Sequence, residues 1–180
     1  MKLIVCVDME WGIGYKNELL FDIPMDKAFF KKTTFGHTIV MGKNTWDSLP
    51  MRPLPGRHNI VFSRDYALEL DGASVVHSLG EFLNFAKSIK NGLDDVFVIG
   101  GEQIYKLLLP YCDEAYVTKV FETKQADAYM TDLDELENWV SWHVDMQYVD
   151  DFEPWFCRYI NTDFKSLDDV WKSTEYKHII

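Results

Sequence analysis

Through residue 110 this chain alternates short β-rich apolar runs with segments of helical period, and no other feature of the sequence restricts its fold as tightly. Runs near residues 2–8, 37–42, 58–63, 73–76 and 95–99 read as strands, and patterns near 25–34, 44–49, 79–90 and 102–109 read as helices. A strand, a helix and a second strand make a crossover unit, so these segments build a mostly parallel sheet. Strands near 114–120, 139–148 and 153–160 follow without helices between them, and the last of them can pair as a hairpin. The expected fold class is therefore α/β: a single domain, residues 1–161, with a mostly parallel twisted central sheet, flanking helices and an antiparallel C-terminal edge. Beyond it, Leu167, Val170 and Trp171 recur at helical spacing, so residues 162–180 read as a C-terminal helical extension. A chain of 180 residues with 47% hydrophobic and 15% aromatic content is long enough to close one core and fold alone.

Three classes of function are disfavoured by composition. Cys6, Cys112 and Cys157 are widely spaced and form no C-x-x-C pair, which argues against a disulfide framework or a metal site and for a reduced, cytoplasmic setting. The apolar run from Leu3 to Val7 is broken by Asp8 and Glu10, so it is too short for a signal peptide or a membrane span. Net charge is −11, but residues 27–64 hold seven cations (Lys27, Lys31, Lys32, Lys43, Arg52, Arg57 and Arg64) and one acid, Asp47. That region carries +6 and leaves −17 to the rest. An acidic protein with one basic region suits a small polyanion better than nucleic acid. Lys27, Lys31 and Lys32 fit a solvated helix face, whereas Lys43, Arg57 and Arg64 sit at the edges of apolar strand patterns.

Two stretches carry candidate chemistry. In "VFVIGGEQIYKLLLP", residues 96–110, a buried-looking strand passes across Gly100-Gly101 into an amphipathic helix that Pro110 stops. Bare backbone N–H groups at such a junction favour a phosphate, while the same glycines also allow close helix packing. The G-x-G-x-x-G fingerprint is absent, and these residues alone leave both readings open. In "FDIPMDKAFFKK", Asp26 lies in the first turn of a helix beside Phe21, Phe29 and Phe30. A carboxylate there can compensate the helix dipole or cap the helix. Desolvated among aromatics, it can instead bind a flat heterocycle bearing paired N–H donors. The stretch does not choose between them.

Taken together, "VDMEWGIGYKNELLFDIPMDKAFFKK", "IVMGKNTWDSLPMRPLPGRHNIVFSR" and "VFVIGGEQIY", in that order and at those separations, closely resemble dihydrofolate reductase, over about residues 2–160. The resemblance implies NADPH-dependent reduction of 7,8-dihydrofolate to tetrahydrofolate, with hydride passing to pterin C6 and a proton to N5, and no metal. It implies a small-molecule substrate and a monomer that binds neither nucleic acid nor membrane. Gly100 and Gly101, joined in the family by a cis peptide, would lie against the cofactor, with Glu102 and Gln103 facing the pyrophosphate. Gly42, Lys43, Asn44 and Thr45 would supply the second phosphate contact, and Ser63 and Arg64 would hold the adenosine ribose and its 2′-phosphate. Cys6, Ile13, Gly14, Asn17, Leu19, Ile99 and Tyr105 would complete the cofactor side, with Tyr105 near the nicotinamide.

On the substrate side, the resemblance makes Asp26 the catalytic acid and pterin anchor, and Thr118 its supporting hydroxyl. Ile4, Val5, Phe30, Leu49, Leu54 and Ile99 would wall the pocket, and Arg57 would grip the α-carboxylate of the glutamate tail. Core packing accounts equally well for the apolar members of that set. The segment from Asp8 to Pro24 resembles the mobile loop that closes over both rings. Many relatives have Pro-Trp where this chain has Leu20-Phe21, so an indole N–H is missing there, although Phe21 can still pack. Pro50-Met51 lengthens the substrate-side loop by about one residue against the bacterial pattern. Two other functions are open to such a chain: a same-fold reductase of a riboflavin-pathway pyrimidine, which should lack the Asp26 and Arg57 pairing, and a ligand-binding protein without turnover.

Overall fold

A computed structural model describes residues 1–146 and 154–166. Its centre is an eight-stranded sheet built from β1 (Lys2–Val7), β4 (Thr38–Gly42), β5 (His58–Phe62), β6 (Ala73–Val76), β7 (Val96–Gly100), β8 (Glu114–Lys119), β10 (Trp139–Met146) and β11 (Trp155–Asn161). The strand order is β10-β11-β8-β1-β7-β4-β5-β6. Every pairing from β8 to β6 is parallel, and β11 and β10 add an antiparallel edge. This is the α/β architecture expected of the alternating pattern. Strands such as "TIVMG" in β4 are apolar on both faces because helices or loops cover both sides of a parallel sheet.

The helices are α1 (Pro24–Thr34), α2 (Lys43–Ser48), α3 (Leu79–Ala86) and α4 (Glu102–Leu108). Proline opens α1, and the Ser78 hydroxyl caps α3 by accepting the Glu81 N–H. The helix expected over 79–90 ends at Ala86. There the backbone switches to i→i+3 bonds from Lys87, Ser88 and Ile89, and the Ser88 hydroxyl donates to the Phe85 carbonyl at 2.7 Å. On one face of the sheet Leu3, Val40, Ile60, Val98, Phe82 and Leu108 form the main core; on the other, Ile4, Ile39, Met41, Trp46, Val61 and Phe97 form a second.

Three short strands were not expected. Within the segment read as a closing loop lie β2 (Gly12–Tyr15) and β3 (Glu18–Leu19), and β2 also pairs with β9 (Ala128–Tyr129), Gly14 opposite Ala128 and Gly12 opposite Tyr129. The segment is thus tied into a second sheet of order β3-β2-β9. The expected end of the strand over 139–148, the start of the strand at 153 and the C-terminal helix of Leu167, Val170 and Trp171 lie outside the described residues. Among the described residues no helix is long and apolar enough to cross a membrane, and no group of three or more His, Cys, Asp or Glu could hold a metal ion. Cys6, Cys112 and Cys157 are free thiols.

Candidate active site

The C-terminal ends of β1, β4, β5 and β7 border one cleft of ≈ 940 Å³. Irregularities of the sheet open it. The β1–β7 ladder pairs only Lys2 with Phe97 and Leu3 with Val98, after which the strands part. The β4–β7 register then slips at Ile99, so that Met41 faces Gly100. The Ile4 carbonyl receives the Tyr105 hydroxyl at 2.8 Å. Tyr105 is buried, which pushes its phenol far above the usual range, so at every physiological pH it donates this bond.

Gly100 and Gly101 are joined by a cis peptide, as the resemblance implies, and Gly100 has φ +116°, a conformation that disfavours a side chain. A Cβ on Gly100 would lie 3.1 Å from the Tyr105 ring, and one on Gly101 3.2 Å from the Thr45 hydroxyl. Close packing and a bare backbone facing the cleft therefore occur at the same residues. Every residue expected on the cofactor side lines this cleft: Cys6, Ile13, Gly14, Asn17 and Leu19 on one wall, Gly42, Lys43, Asn44 and Thr45 with Ser63 and Arg64 on another, and Ile99, Gly100, Gly101, Glu102, Gln103 and Tyr105 between them. The cations differ in availability. Lys43 is bonded to Asp47 at 2.5 Å, whereas among the described residues Arg64 forms no ion pair. Glu102 is held by Lys106 at 2.6 Å and by the Tyr129 N–H, and these contacts, the Lys106 bond first, keep its carboxyl below the ordinary range.

Asp26 of α1 is half-buried and lies close enough to Thr118 of β8 for that hydroxyl to favour its ionised carboxylate. The N-cap of α1 is Ile23 and no side chain caps the helix, so Asp26 is not a capping residue. Burial raises its carboxyl above the ordinary value, more than the Thr118 bond and the Lys27 charge lower it. Burial, then the Asp26 and Asp8 carboxylates, also pushes the Cys6 thiol well up, so Cys6 stays neutral. Ile4, Phe30, Leu49, Leu54 and Ile99 share one apolar cluster, and Val5 and Ile99 reach the cleft itself. Arg57 does not line the cleft but a separate depression with Gly36 and His58, where it lies 5.7 Å over the Phe30 ring, donating to the Thr34 hydroxyl at 3.1 Å and the Pro55 carbonyl at 3.2 Å. Desolvation lowers its pKa, as expected for a guanidinium set against apolar side chains.

Several residues at the site had no distinct signal in the sequence. Asp8, 2% exposed, takes the Glu10 and Gly12 N–H groups on one oxygen and the Lys124 N–H on the other. The Lys124 ammonium donates to the Leu20 carbonyl at 3.1 Å and lies 4.3 Å over the Phe21 ring, which is buried against Ile23 and Val120. Leu20-Phe21 is thereby packed and fastened without an indole. Glu18, Ser48, Asp65, His77, Ser78, Asp127 and Ala128 also line the cleft. Asp127 and Ala128 reach it only because β9 pairs with β2.

The family model described as dihydrofolate reductase matches residues 1–162. The chain belongs to the dihydrofolate reductase family. The dihydrofolate reductase of Bacillus subtilis is 40% identical over 139 residues, covering 77% of this chain and 79% of its own length. That of Mycobacterium tuberculosis is 44% identical over 128 residues, covering 68% and 74%. The structure of the Enterococcus faecalis dihydrofolate reductase complexed with NADP(H) and RAB-propyl superposes with a TM-score of 0.81 at 30% identity, covering 90% of this chain and 96% of that one. As a dihydrofolate reductase the chain is an NADP-dependent oxidoreductase that reduces dihydrofolate to tetrahydrofolate with NADPH. A riboflavin-pathway reductase and a binding protein without turnover are not favoured by these matches.

Proposed function

We propose that Asp26 anchors the pterin and governs its protonation, that Arg57 holds the glutamate tail, and that NADPH lies along the glycine-lined cleft with its 2′-phosphate beside Arg64. The observation that carries this reading is the half-buried Asp26 carboxyl, which burial raises and the Thr118 hydroxyl of β8 steadies, beside Cys6 of the cleft wall. A carboxylate accepts from two N–H donors at once, the pattern an aminopterin edge presents, and Thr118 orients it from the opposite strand. Its raised pKa disfavours an isolated charge and so favours a protonated, hydrogen-bonding partner. Ile4, Phe30, Leu49, Leu54 and Ile99 flank the ring and exclude water. Arg57 has no carboxylate partner among the described residues and offers a planar fork to one.

The donors around the cleft fit the cofactor. Gly42–Thr45 and Gly100–Gln103 put backbone N–H groups on two sides of it, and Arg64 supplies a cation that forms no ion pair among the described residues. NADPH, when bound, supplies the hydride. The β2–β3 hairpin, held by Asp8 and Lys124, shields the reacting rings from solvent. We also take the chain to act as a cytoplasmic monomer that does not bind nucleic acid, consistent with its acidity and its single basic region. The test is NADPH oxidation followed by absorbance: oxidation dependent on dihydrofolate and lost in Asp26→Asn supports these assignments, and full turnover in that variant rejects them.

A further inference from the structure

We infer that the depression bordered by Arg57 is a second anion site, which takes the γ-linked glutamates of a dihydrofolate whose tail extends beyond its first glutamate. This deepens, and rests on, the placement of the first tail carboxylate on Arg57 proposed above. The depression holds ≈ 410 Å³ and lies at the opposite rim of the sheet from the glycine-lined cleft. His37 immediately precedes β4, Arg57 precedes β5 and Asp95 precedes β7, so the starts of three neighbouring parallel strands border it. Two turns meet in its wall: the Gly36 N–H donates to the Gly56 carbonyl at 2.8 Å, and both glycines have positive φ, +84° and +70°.

The cations around it are uncommitted. Of the seven in residues 27–64, Lys27 is paired with Asp22, and Lys43 and Arg52 with Asp47, while Arg64 lines the nucleotide cleft. Lys31, Lys32 and Arg57 remain, and none forms an ion pair among the described residues. Arg57 lines the depression, and the two lysines lie in the last turn of α1, just before Gly36. Lys90 lines it too, exposed and again without an ion pair among the described residues. Asp95 is the one acid among the lining residues and is already engaged: His37 Nδ1 lies 2.8 Å from one oxygen, and the Thr38 hydroxyl donates to the other at 3.4 Å. In a chain of net charge −11 this is a local positive field, which favours an anion.

Arg57 joins that field to the substrate side. Its guanidinium lies over Phe30, which packs in the apolar cluster with Ile4, Leu49 and Leu54. Nε and Nη1 are used by the Pro55 carbonyl and the Thr34 hydroxyl, and Nη2 has no protein partner among the described residues. A glutamate whose α-carboxylate is held by this guanidinium leaves its γ-carboxyl free to carry the next residue. Each γ-linked glutamate then adds a carboxylate to a surface that offers Lys90, with Lys31 and Lys32 close by. Exposed pairs of this kind are individually weak, so recognition grows with the number of carboxylates and weakens with salt.

The KM of the full chain is compared for dihydrofolate bearing one glutamate and dihydrofolate bearing three, at saturating NADPH. At low ionic strength the triglutamate should have a KM about three- to tenfold lower, and the difference should close in about 0.5 M KCl. Lys90→Glu should shrink that ratio, since it turns an attracting charge into a repelling one. The ring resonances of His37 and His58, which border the depression, give a readout independent of any variant. In the NADP⁺ complex, folate with three glutamates should shift them beyond the positions they take with folate bearing one. Equal KM values for the two substrates, a ratio unchanged by salt or by Lys90→Glu, or resonances indifferent to the added glutamates overturns the inference. Arg57→Leu separates the two levels. If it weakens tailed pterins and a pterin without glutamate equally, the placement on Arg57 is wrong and the inference falls with it. If it spares the tailless pterin while the parent treats one and three glutamates alike, the placement stands and only the extended site is wrong.

Discussion

Asp26→Asn separates the chemistry of the site from its architecture. The substitution keeps side-chain volume and an oxygen that can accept from Thr118, so the α1–β8 contact survives. It removes the titratable charge. A positioned proton-transfer group contributes about 10²–10⁴-fold, or about 2.7–5.4 kcal/mol, so turnover of dihydrofolate at neutral pH should fall by that factor. The residual rate should climb as pH falls, since solvent then protonates the pterin that the side chain no longer assists. Stability should move the other way. Burial raises the Asp26 carboxyl, so its contribution to stability is complete below the unfolded-state value, about 3.9, and is lost as pH rises through the raised folded value. At neutral pH the ionised group is therefore a cost, and Asn removes it. The variant should melt no lower than the parent at pH 7, and its relative advantage should shrink toward pH 4. Steady-state kinetics across pH and thermal melts of the same preparations test both halves. Near-parental turnover at pH 7 would sink the catalytic role, and a large loss of Tm there would show that Asp26 is instead a structural group.

Arg57→Leu should raise the KM for dihydrofolate by about 30-fold, some 2 kcal/mol for a partly exposed charge pair, and affect a pterin lacking the glutamate tail far less. Equal losses for both substrates would exclude a tail contact. Replacing Lys43 and Arg64 together by Gln should erode discrimination between NADPH and NADH; because Lys43 is already paired with Asp47, most of the effect should come from Arg64 in the single variants. Tyr105→Phe should lower stability by about 1–3 kcal/mol in denaturant titration, since the Ile4 carbonyl is left buried without its hydroxyl donor. An unchanged midpoint would show that another donor replaces it.

The central sheet was legible because each of its parallel strands is an apolar run bounded by turn residues, and burial on both faces imposes that composition locally. Ile104, Leu107 and Leu108 were equally visible at helical spacing, but the 2.8 Å bond from Tyr105 to Ile4 was not, because it spans 101 residues and exists only where β1 and β7 part. The small sheet failed for a related reason. Glu18–Leu19 and Ala128–Tyr129 are two residues each, too short to display a period, and they are strands only because β2 lies between them. Asp26 was visible as an acid among aromatics. That it does not cap α1 is decided by Ile23 at the N-cap, and its partner Thr118 lies 92 positions away, which no local pattern contains.

Asp8 shows how far such long-range settlement can invert a local cue. In the sequence it is a charge that interrupts an apolar run and opens the segment that resembles a mobile loop. In the fold it is buried, and an unpartnered carboxylate there would be expensive. The Glu10 and Gly12 N–H groups arrive from the turn itself, but the Lys124 N–H comes from 116 residues downstream. The same lysine sends its ammonium to the Leu20 carbonyl and the Phe21 ring. One residue thus secures both ends of the segment over the cleft, its backbone at the Asp8 end and its side chain at the Leu20-Phe21 end. A position where the chain departs from the common Pro-Trp pair is held by Lys124, whose importance lies wholly in where the fold brings it.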